Sequence, residues 1–222
     1  MKEIKDFLNR LLVNNNREWF NAHKDEYLHV QEKFHRFSTE LIARTAQFDE
    51  SVAGLELKDC TYRIYRDIRF SLDKSPYKTH FGCFICPGGK RSGNAGYYFH
   101  VEAEESEYLG HDMLACGIYN PTPAFTKAIR EEIDLNGKAF DKTVKKAQNF
   151  SIDPYDMLAR VPNGYSKDHP YAKYLRMKIF CLTAPIPADI LYGPNLMDYV
   201  VENFRSAKDF NDLLNKVQDY CR

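Results

Sequence analysis

The sequence has no excess of charge of either sign. Its 222 residues include 31 lysines and arginines and 31 aspartates and glutamates, so the formal net charge at pH 7 is zero. Proteins that bind nucleic acid non-specifically usually carry a basic excess, because contacts to phosphates supply most of their affinity. Nucleic acid is therefore the least favoured of the partners considered for this chain, and a salt-dependent gel shift would be its test.

Long apolar runs are absent too. No segment reaches the roughly 18 apolar residues that a membrane-spanning helix needs. Residues 1–13 carry charges throughout and lack the apolar centre of a secretion signal. The six cysteines are scattered, and in a chain of this length without such a signal they are typical of reduced thiols. We expect a cytoplasmic protein without a membrane partner, and the sequence does not indicate its oligomeric state.

The common motifs of catalytic and metal sites are missing. The glycines at 88, 89 and 93 do not lead into the Gly-Lys-Ser/Thr of a phosphate-binding loop, and no serine or cysteine lies in a nucleophile elbow. Cys83 and Cys86 form an isolated C-x-x-C pair, whereas a zinc site would need a second pair of ligands at matching spacing. We therefore expect neither a metal ion nor a cofactor.

One stretch, residues 61–82, combines high charge with strand-forming residues and reads TYRIYRDIRFSLDKSPYKTHFG. Its first half, Thr61–Phe70, is rich in β-branched and aromatic side chains and predicts a strand. Because side chains alternate between the two faces of a strand, Arg63, Asp67 and Arg69 would share one face. A turn containing proline and a second strand would follow.

The cationic side chains of this stretch predict an anion site. From Lys58 to Arg91 the chain has eight lysines and arginines against three aspartates, a local surplus of five positive charges. Such a surplus attracts anions, and guanidinium forks bind phosphate or carboxylate through paired hydrogen bonds. We expect a phosphorylated or carboxylated small molecule to bind here. If the protein is an enzyme, we expect the same molecule to be its substrate. The candidate ligand-binding residues of the stretch are Arg63, Arg66, Arg69, Lys74, Tyr77 and Lys78.

Two other functions fit the same part of the sequence. If Asp67 pairs with the neighbouring arginines, the stretch is the ion-pair scaffold of a non-catalytic interaction module. A hydrolase or nuclease-like enzyme would instead use carboxylates and imidazoles for proton or metal chemistry. The segment Gly96–Ala103 would place Tyr98, His100 and Glu102 on one strand face, which is also what an ordinary polar face looks like. The candidate catalytic residues are Asp67, His100, Glu102 and His169.

The order of the predicted elements favours an α+β fold, with residues 1–222 as a single domain. Consecutive strand-like segments with short links predict an antiparallel meander of about four to five strands. Apolar residues three and four apart predict N-terminal and C-terminal helices that pack against this sheet. The predicted strands are Thr61–Phe70, Thr79–Pro87, Gly96–Ala103, Tyr108–Tyr119 and Ile179–Thr183; the predicted helices are Lys2–Val13, Arg17–Phe48, one from Pro121 to a break at Asn136-Gly137, Lys138–Phe150 and two after Pro194.

Four phrases of the sequence resemble one known family. Together they are similar to the domain-of-unknown-function family 2461 of bacteria and fungi, whereas residues 83–96, CFICPGGKRSGNAG, do not match its pattern. The resemblance implies a soluble domain and brings no established activity. The phrases are residues 7–27 (FLNRLLVNNNREWFNAHKDEY, with Asn14, Asn15, Arg17, Trp19, Phe20 and Lys24), residues 63–82, residues 96–102 (GYYFHVE) and residues 163–175 (NGYSKDHPYAKYL).

The resemblance adds one idea about the site. Arg17, Trp19 and Lys24 from the first phrase, and residues 168–170 from the last, would form one ligand site if they converged on residues 63–78. The alternative is that these phrases only fix the packing of helices on the sheet.

Overall fold

The computed structural model describes residues 1–221, with the side chain of residue 155 outside that description. Its centre is a four-stranded antiparallel sheet in which each strand pairs with the next along the chain. The prediction of an α+β fold built on a meander is therefore confirmed. The strands are β1 (His80–Ile85), β2 (Gly96–Glu102), β3 (Met113–Ile118) and β4 (Phe180–Pro185).

Helices precede and follow the sheet, as the sequence predicts. Among the described residues, none of these helices is long and apolar enough to cross a membrane. Two 3₁₀ turns, Glu50–Val52 and Pro154–Asp156, lie in the connections. The α-helices are α1 (Lys2–Val13), α2 (Arg17–Ala22), α3 (Lys24–Ala46), α4 (Leu57–Cys60), α5 (Pro123–Lys146), α6 (Ala172–Leu175), α7 (Ala188–Leu191), α8 (Leu196–Ser206) and α9 (Lys208–Asp219).

Alternation along β2 separates the core from the polar face. Tyr97, Phe99 and Val101 are fully buried, as expected for residues spaced two apart on one face of a strand. The ring of Phe37 in α3 lies 4.7 Å from that of Phe99, which fixes α3 across this face. The intervening residues of β2, among them His100, point to the opposite side of the sheet.

The predicted strand Thr61–Phe70 is wrong. This segment is irregular and makes only isolated bridges, such as Tyr65 with Tyr77. Apart from a bridge between Thr61 and Cys83 of β1, it bonds to the residues that follow it, because the Arg66 amide donates to Pro76 and the Lys78 amide donates to Ile64. Residues 61–79, which we call the cationic loop, therefore form an excursion before β1. The fourth strand is β4, which the sequence predicts as Ile179–Thr183.

The predicted strand Tyr108–Tyr119 begins later, at Met113. The preceding residues form a loop that wraps around the carboxylate of Glu102. The backbone amides of Leu109 and His111 donate to that carboxylate, at 3.4 and 2.7 Å, so they are not available to a strand ladder.

Two helix boundaries also differ from the prediction. The helix expected over Arg17–Phe48 is interrupted at His23, whose φ of −112° and ψ of 23° end α2 and precede α3. The break expected at Asn136-Gly137 is a kink inside α5, where Asn136 has a φ of −125° and a ψ of 29°. Gly137 lies directly against the ring of Tyr171, so the kink sits where another part of the chain packs on the helix.

Candidate functional site

Two arginines of the cationic loop are already paired with carboxylates. Arg69 donates from Nε and Nη2 to Asp67, at 2.9 and 2.6 Å, and this pairing lowers the pKa of Asp67 to about 2. Arg66 contacts the carboxylate of Asp73 and donates to the carbonyl of Ser75 at 3.1 Å. Hydrogen bonds from Ser75, followed by those from Arg66, hold the pKa of Asp73 well below its ordinary value. These pairs hold the loop in shape.

Other candidate ligand residues also take part in packing. The Tyr77 side chain is only 5% exposed and stacks on Phe20 of α2 with the ring centres 3.8 Å apart. The backbone of Tyr77 exchanges two hydrogen bonds with the side chain of Asn15. Lys74 donates to the carbonyl of Ile68 at 3.1 Å. The first phrase of the sequence and the cationic loop are therefore in direct contact.

The three candidates from the first phrase face different surroundings. Trp19 stacks on His23 with the ring centres 4.1 Å apart, and its ring centre is 6.0 Å from that of Phe7. Arg17 and Lys24 are exposed on α2 and at the start of α3. Trp19 is thus occupied by helix packing, while the two cations point to solvent.

His169 lies against α5. Its Nε2 atom is 3.3 Å from the carboxylate of Asp134, and its Nδ1 atom accepts a hydrogen bond from the Tyr171 amide at 3.1 Å. Within residues 1–221, none of the contacts of His169 reaches the cationic loop or β2. The geometry does not bring His169 together with His100, Glu102 or Asp67.

Lys78 and Arg63 are cations of a different kind. Lys78 is half-buried, and its Nζ atom lies 5.3 Å from the centre of the Tyr62 ring. Burial, followed by the nearby charge of Arg63, lowers the pKa of Lys78. In the part of the chain that the structure describes, neither side chain has an ion pair or a hydrogen bond. Asp67, the carboxylate whose pKa Arg63 helps to lower, is bonded to Arg69.

Behind this pair lies a row of polar side chains on β2. His100 is fully buried, and its Nδ1 atom is 2.9 Å from the hydroxyl of Tyr98. Its Nε2 atom is 3.5 Å from Oε2 of Glu102 and, among the described residues, has no hydrogen-bond partner. A buried imidazole nitrogen without a partner is uncommon in proteins and calls for an explanation.

Glu102 is also fully buried, yet it stays ionised. Burial raises the pKa of its carboxyl group, but the approach of His100 and hydrogen bonding by Ser106 more than offset this, so that the net pKa is lowered. The two amides of the following loop add fixed donors to the carboxylate. Glu102 therefore carries a negative charge that hydrogen bonds stabilise next to His100.

β1 adds a second histidine to this face. The His80 ring lies 5.0 Å from the His100 ring and stacks on Tyr108 at 4.3 Å. Burial, then the nearby His100 and Lys78, lower the pKa of His80 to about 3, so the ring is neutral at pH 7. We call the group formed by Lys78, His80, Tyr98, His100 and Glu102, with Tyr62 and Tyr108 beside it, the polar sheet face.

Sequence reasoning missed His80, Tyr62 and Tyr108 as members of this group. The signal for His80 was present, because pairing two consecutive strands antiparallel sets His80 opposite Glu102 and Gly82 opposite His100. Tyr62 and Tyr108 lie in loops, where no periodic pattern indicates which way a side chain points.

Two clefts elsewhere on the surface are acidic. One of about 440 Å³ lies between α1 and α3 and includes Glu3, Asp6 and Glu26, and one of about 350 Å³ includes Asp198 and Glu202 of α8. Their charge does not suit an anionic ligand. Within the described residues, no group of three or more His, Cys, Asp or Glu side chains is arranged to hold a metal ion.

Comparison with known proteins yields one match. A family model described as a conserved hypothetical protein (DUF2461) matches residues 3–213. No curated protein and no solved structure matches the chain.

Proposed function

Because the chain belongs to the family of conserved hypothetical proteins DUF2461, whose description names no activity, we propose a function from geometry: the polar sheet face binds a phosphorylated or carboxylated small molecule. The observation that carries the proposal is the half-buried ammonium group of Lys78 beside the guanidinium of Arg63, neither of which has an ion pair or a side-chain hydrogen bond within the described residues. The proposal places the ligand at these two cations.

The physical reason lies in the cost of burying an unpaired charge. A cation that loses hydration without gaining a carboxylate is unfavourable, and here the lowered pKa of Lys78 reflects that cost. An anion bound between Lys78 and Arg63 would supply the missing partner through charge-assisted hydrogen bonds. The hydroxyl group of Tyr62, whose ring lies under Lys78, is a nearby donor for the same ligand.

The remaining cations of the loop have a supporting role in this proposal. Arg66 and Arg69 are bonded to Asp73 and Asp67, which favours the ion-pair scaffold for that half of the stretch. Lys74 is bonded to a backbone carbonyl. These side chains shape the loop that presents Lys78 and Arg63, and the ligand contacts fall to the two unpaired cations.

The test is calorimetric titration with inorganic phosphate and with citrate. Lys78→Met is expected to weaken binding by about tenfold or more, because a charge-assisted hydrogen bond contributes about 1.5–3 kcal/mol. Arg63→Gln is expected to weaken binding in the same direction. Lys74→Met is the matched control, since it also removes one lysine charge from the loop but leaves the unpaired cations in place. Equal affinities of Lys78→Met and Lys74→Met would contradict the proposal.

The proposal includes a compartment and a ligand class. All six cysteines are free thiols, five of them buried, which supports a reducing compartment such as the cytoplasm. The net charge of zero supports a small anionic ligand over nucleic acid.

A further inference from the structure

We propose that Tyr98, His100 and Glu102 form a proton relay that takes a proton from the ligand on the polar sheet face. The inference rests on the proposed function for the presence of an anionic ligand. The relay itself is argued from the contacts among these three residues. Tyr98 would be the residue that touches the ligand, and Glu102 would be a positioning residue that acts through His100.

The three side chains form a continuous line that ends at a buried charge. Tyr98 is partly exposed, and its hydroxyl lies 2.9 Å from Nδ1 of His100. On the far side of the imidazole, Nε2 faces Oε2 of Glu102 at 3.5 Å, and both side chains are fully buried. A hydroxyl, an imidazole and a carboxylate in this order is the arrangement by which hydrolases activate a weak acid.

The long contact between His100 and Glu102 is consistent with a resting state. If the Tyr98 hydroxyl donates to Nδ1, the proton of the neutral imidazole is on Nε2 and points toward the carboxylate. At 3.5 Å the contact is too long to be a formed hydrogen bond, so in this state the ring proton is not yet held by the carboxylate. Once His100 is an imidazolium, the same pair becomes a charge-assisted hydrogen bond and is expected to shorten.

The proton transfer balances within these groups. The ligand, written X–H, gives its proton to the oxygen of Tyr98 while the phenolic proton of Tyr98 passes to Nδ1 of His100. The products are X⁻, an unchanged tyrosine and an imidazolium held by the carboxylate of Glu102. The negative charge that develops on the ligand lies on the side of Lys78, which is a neighbour of His80.

The groups that face His100 from other elements favour this direction of transfer. His80 of β1 is neutral, so it does not compete for the negative charge of Glu102. Tyr108 from the following loop has its ring centre 6.0 Å from that of His100 and remains a neutral phenol. The cations Lys78 and Arg66 are close enough to His80 to help lower its pKa, after burial and His100, and on the neighbouring strand His100 pairs with the apolar Met113.

Gly82 provides the space that the relay needs. The ring of Tyr98 crosses over β1 at this residue, and a Cβ atom on Gly82 would lie 2.5 Å from the Tyr98 hydroxyl. Any larger residue would have to displace the ring. The position of the Tyr98 hydroxyl is therefore determined by the neighbouring strand as well as by His100.

The test uses inorganic phosphate as the probe, with histidine-labelled protein observed by ¹⁵N and ³¹P NMR. In the free protein, the ring proton of His100 is expected on Nε2. At pH 6, where free phosphate is mainly the monoanion, bound phosphate is expected as the dianion, with His100 as the imidazolium. In Tyr98→Phe, bound phosphate is expected to remain the monoanion, while Tyr119→Phe, which changes an exposed tyrosine, is expected to behave like the unsubstituted protein.

The outcomes separate this inference from the proposed function. Phosphate that binds as the monoanion beside a neutral His100 would overturn the relay and leave the binding function standing. If phosphate fails to bind, the proposed function fails. The arrangement of the three relay residues is then tested in the free protein. There, a ring proton on Nδ1 would overturn it, and so would a ring proton on Nε2 whose NMR signal does not change in Glu102→Gln. A ring proton on Nε2 whose NMR signal shifts in Glu102→Gln would support it.

Discussion

At the residue scale, the polar sheet face is defined by which polar groups have partners and which do not. Arg69 and Arg66 are bonded to Asp67 and Asp73, whereas Lys78 has no carboxylate partner among the described residues. The residue types alone do not indicate which of these cations are paired with a carboxylate and which are not. Asp67 and Arg69 bond across only two positions, the pairing that the ion-pair alternative expects, and the Arg69 amide donates to the same carboxylate.

His80 predicts a specific pH dependence of stability. Its pKa is about 3 in the folded protein and about 6.5 ordinarily, so the unfolded chain binds more protons between these values. Stability is therefore expected to fall as the pH drops below 6.5. From pH 7 to pH 5 the unsubstituted protein is expected to lose about 1–2 kcal/mol more than His80→Gln, since one pKa unit corresponds to about 1.4 kcal/mol. Urea denaturation at the two pH values measures the difference.

The control for this comparison is His29→Gln, because His29 is exposed on α3 and pairs with Glu3 at the surface. That variant is expected to lose as much stability as the unsubstituted protein. An identical loss in His80→Gln would show that burial does not keep His80 neutral.

At the element scale, periodic segments were predictable and irregular ones were not. The alternation over Gly96–Glu102 gives β2 almost to the residue, and the apolar spacing over Lys2–Val13 gives α1. Thr61–Phe70 has equally good strand-forming residues, but beyond Thr61 its backbone hydrogen bonds, such as those of Ile64 and Arg66, stay within the cationic loop. Propensity describes how well a residue fits a sheet, and it does not say whether a neighbouring strand is available.

The kink in α5 provides a test at this scale. Alanine is normally the better helix former by about 1 kcal/mol, so helix propensity alone predicts that Gly137→Ala is stabilising. A Cβ atom at Gly137 would, however, lie 2.0 Å from the Tyr171 ring. We expect Gly137→Ala to destabilise the protein by about 1–3 kcal/mol, as overpacking does. Thermal and urea denaturation measure the change.

A double-mutant cycle isolates the cause. In a Tyr171→Ala background the obstacle is gone, so adding Gly137→Ala should be neutral or stabilising. If Gly137→Ala destabilises both backgrounds equally, the contact with Tyr171 is not the reason for the glycine.

At the scale of the whole molecule, a net charge of zero conceals a separation of charge. The clefts lined by Glu3 and Asp6 and by Asp198 and Glu202 are acidic, whereas Lys78 of the polar sheet face and the neighbouring Arg63 form a cationic pair. The local surplus of positive charge was visible in the sequence, but the sequence did not indicate which of these cations remain without a partner after folding. Five of the eight cations between positions 58 and 91 were named as ligand residues, and of these five, Lys78 and Arg63 are the two whose side chains have no hydrogen bond or ion pair in residues 1–221.

The most direct measurement is NMR of the lysine Nζ and arginine guanidinium groups in ¹⁵N-labelled protein during titration with inorganic phosphate. The account predicts that the signals of Lys78 and Arg63 shift together along one saturable curve, while Lys74 and Arg69 hardly change. Phosphate would contradict the account if it left Lys78 and Arg63 unmoved, or if it shifted all lysine signals by similar, unsaturated amounts.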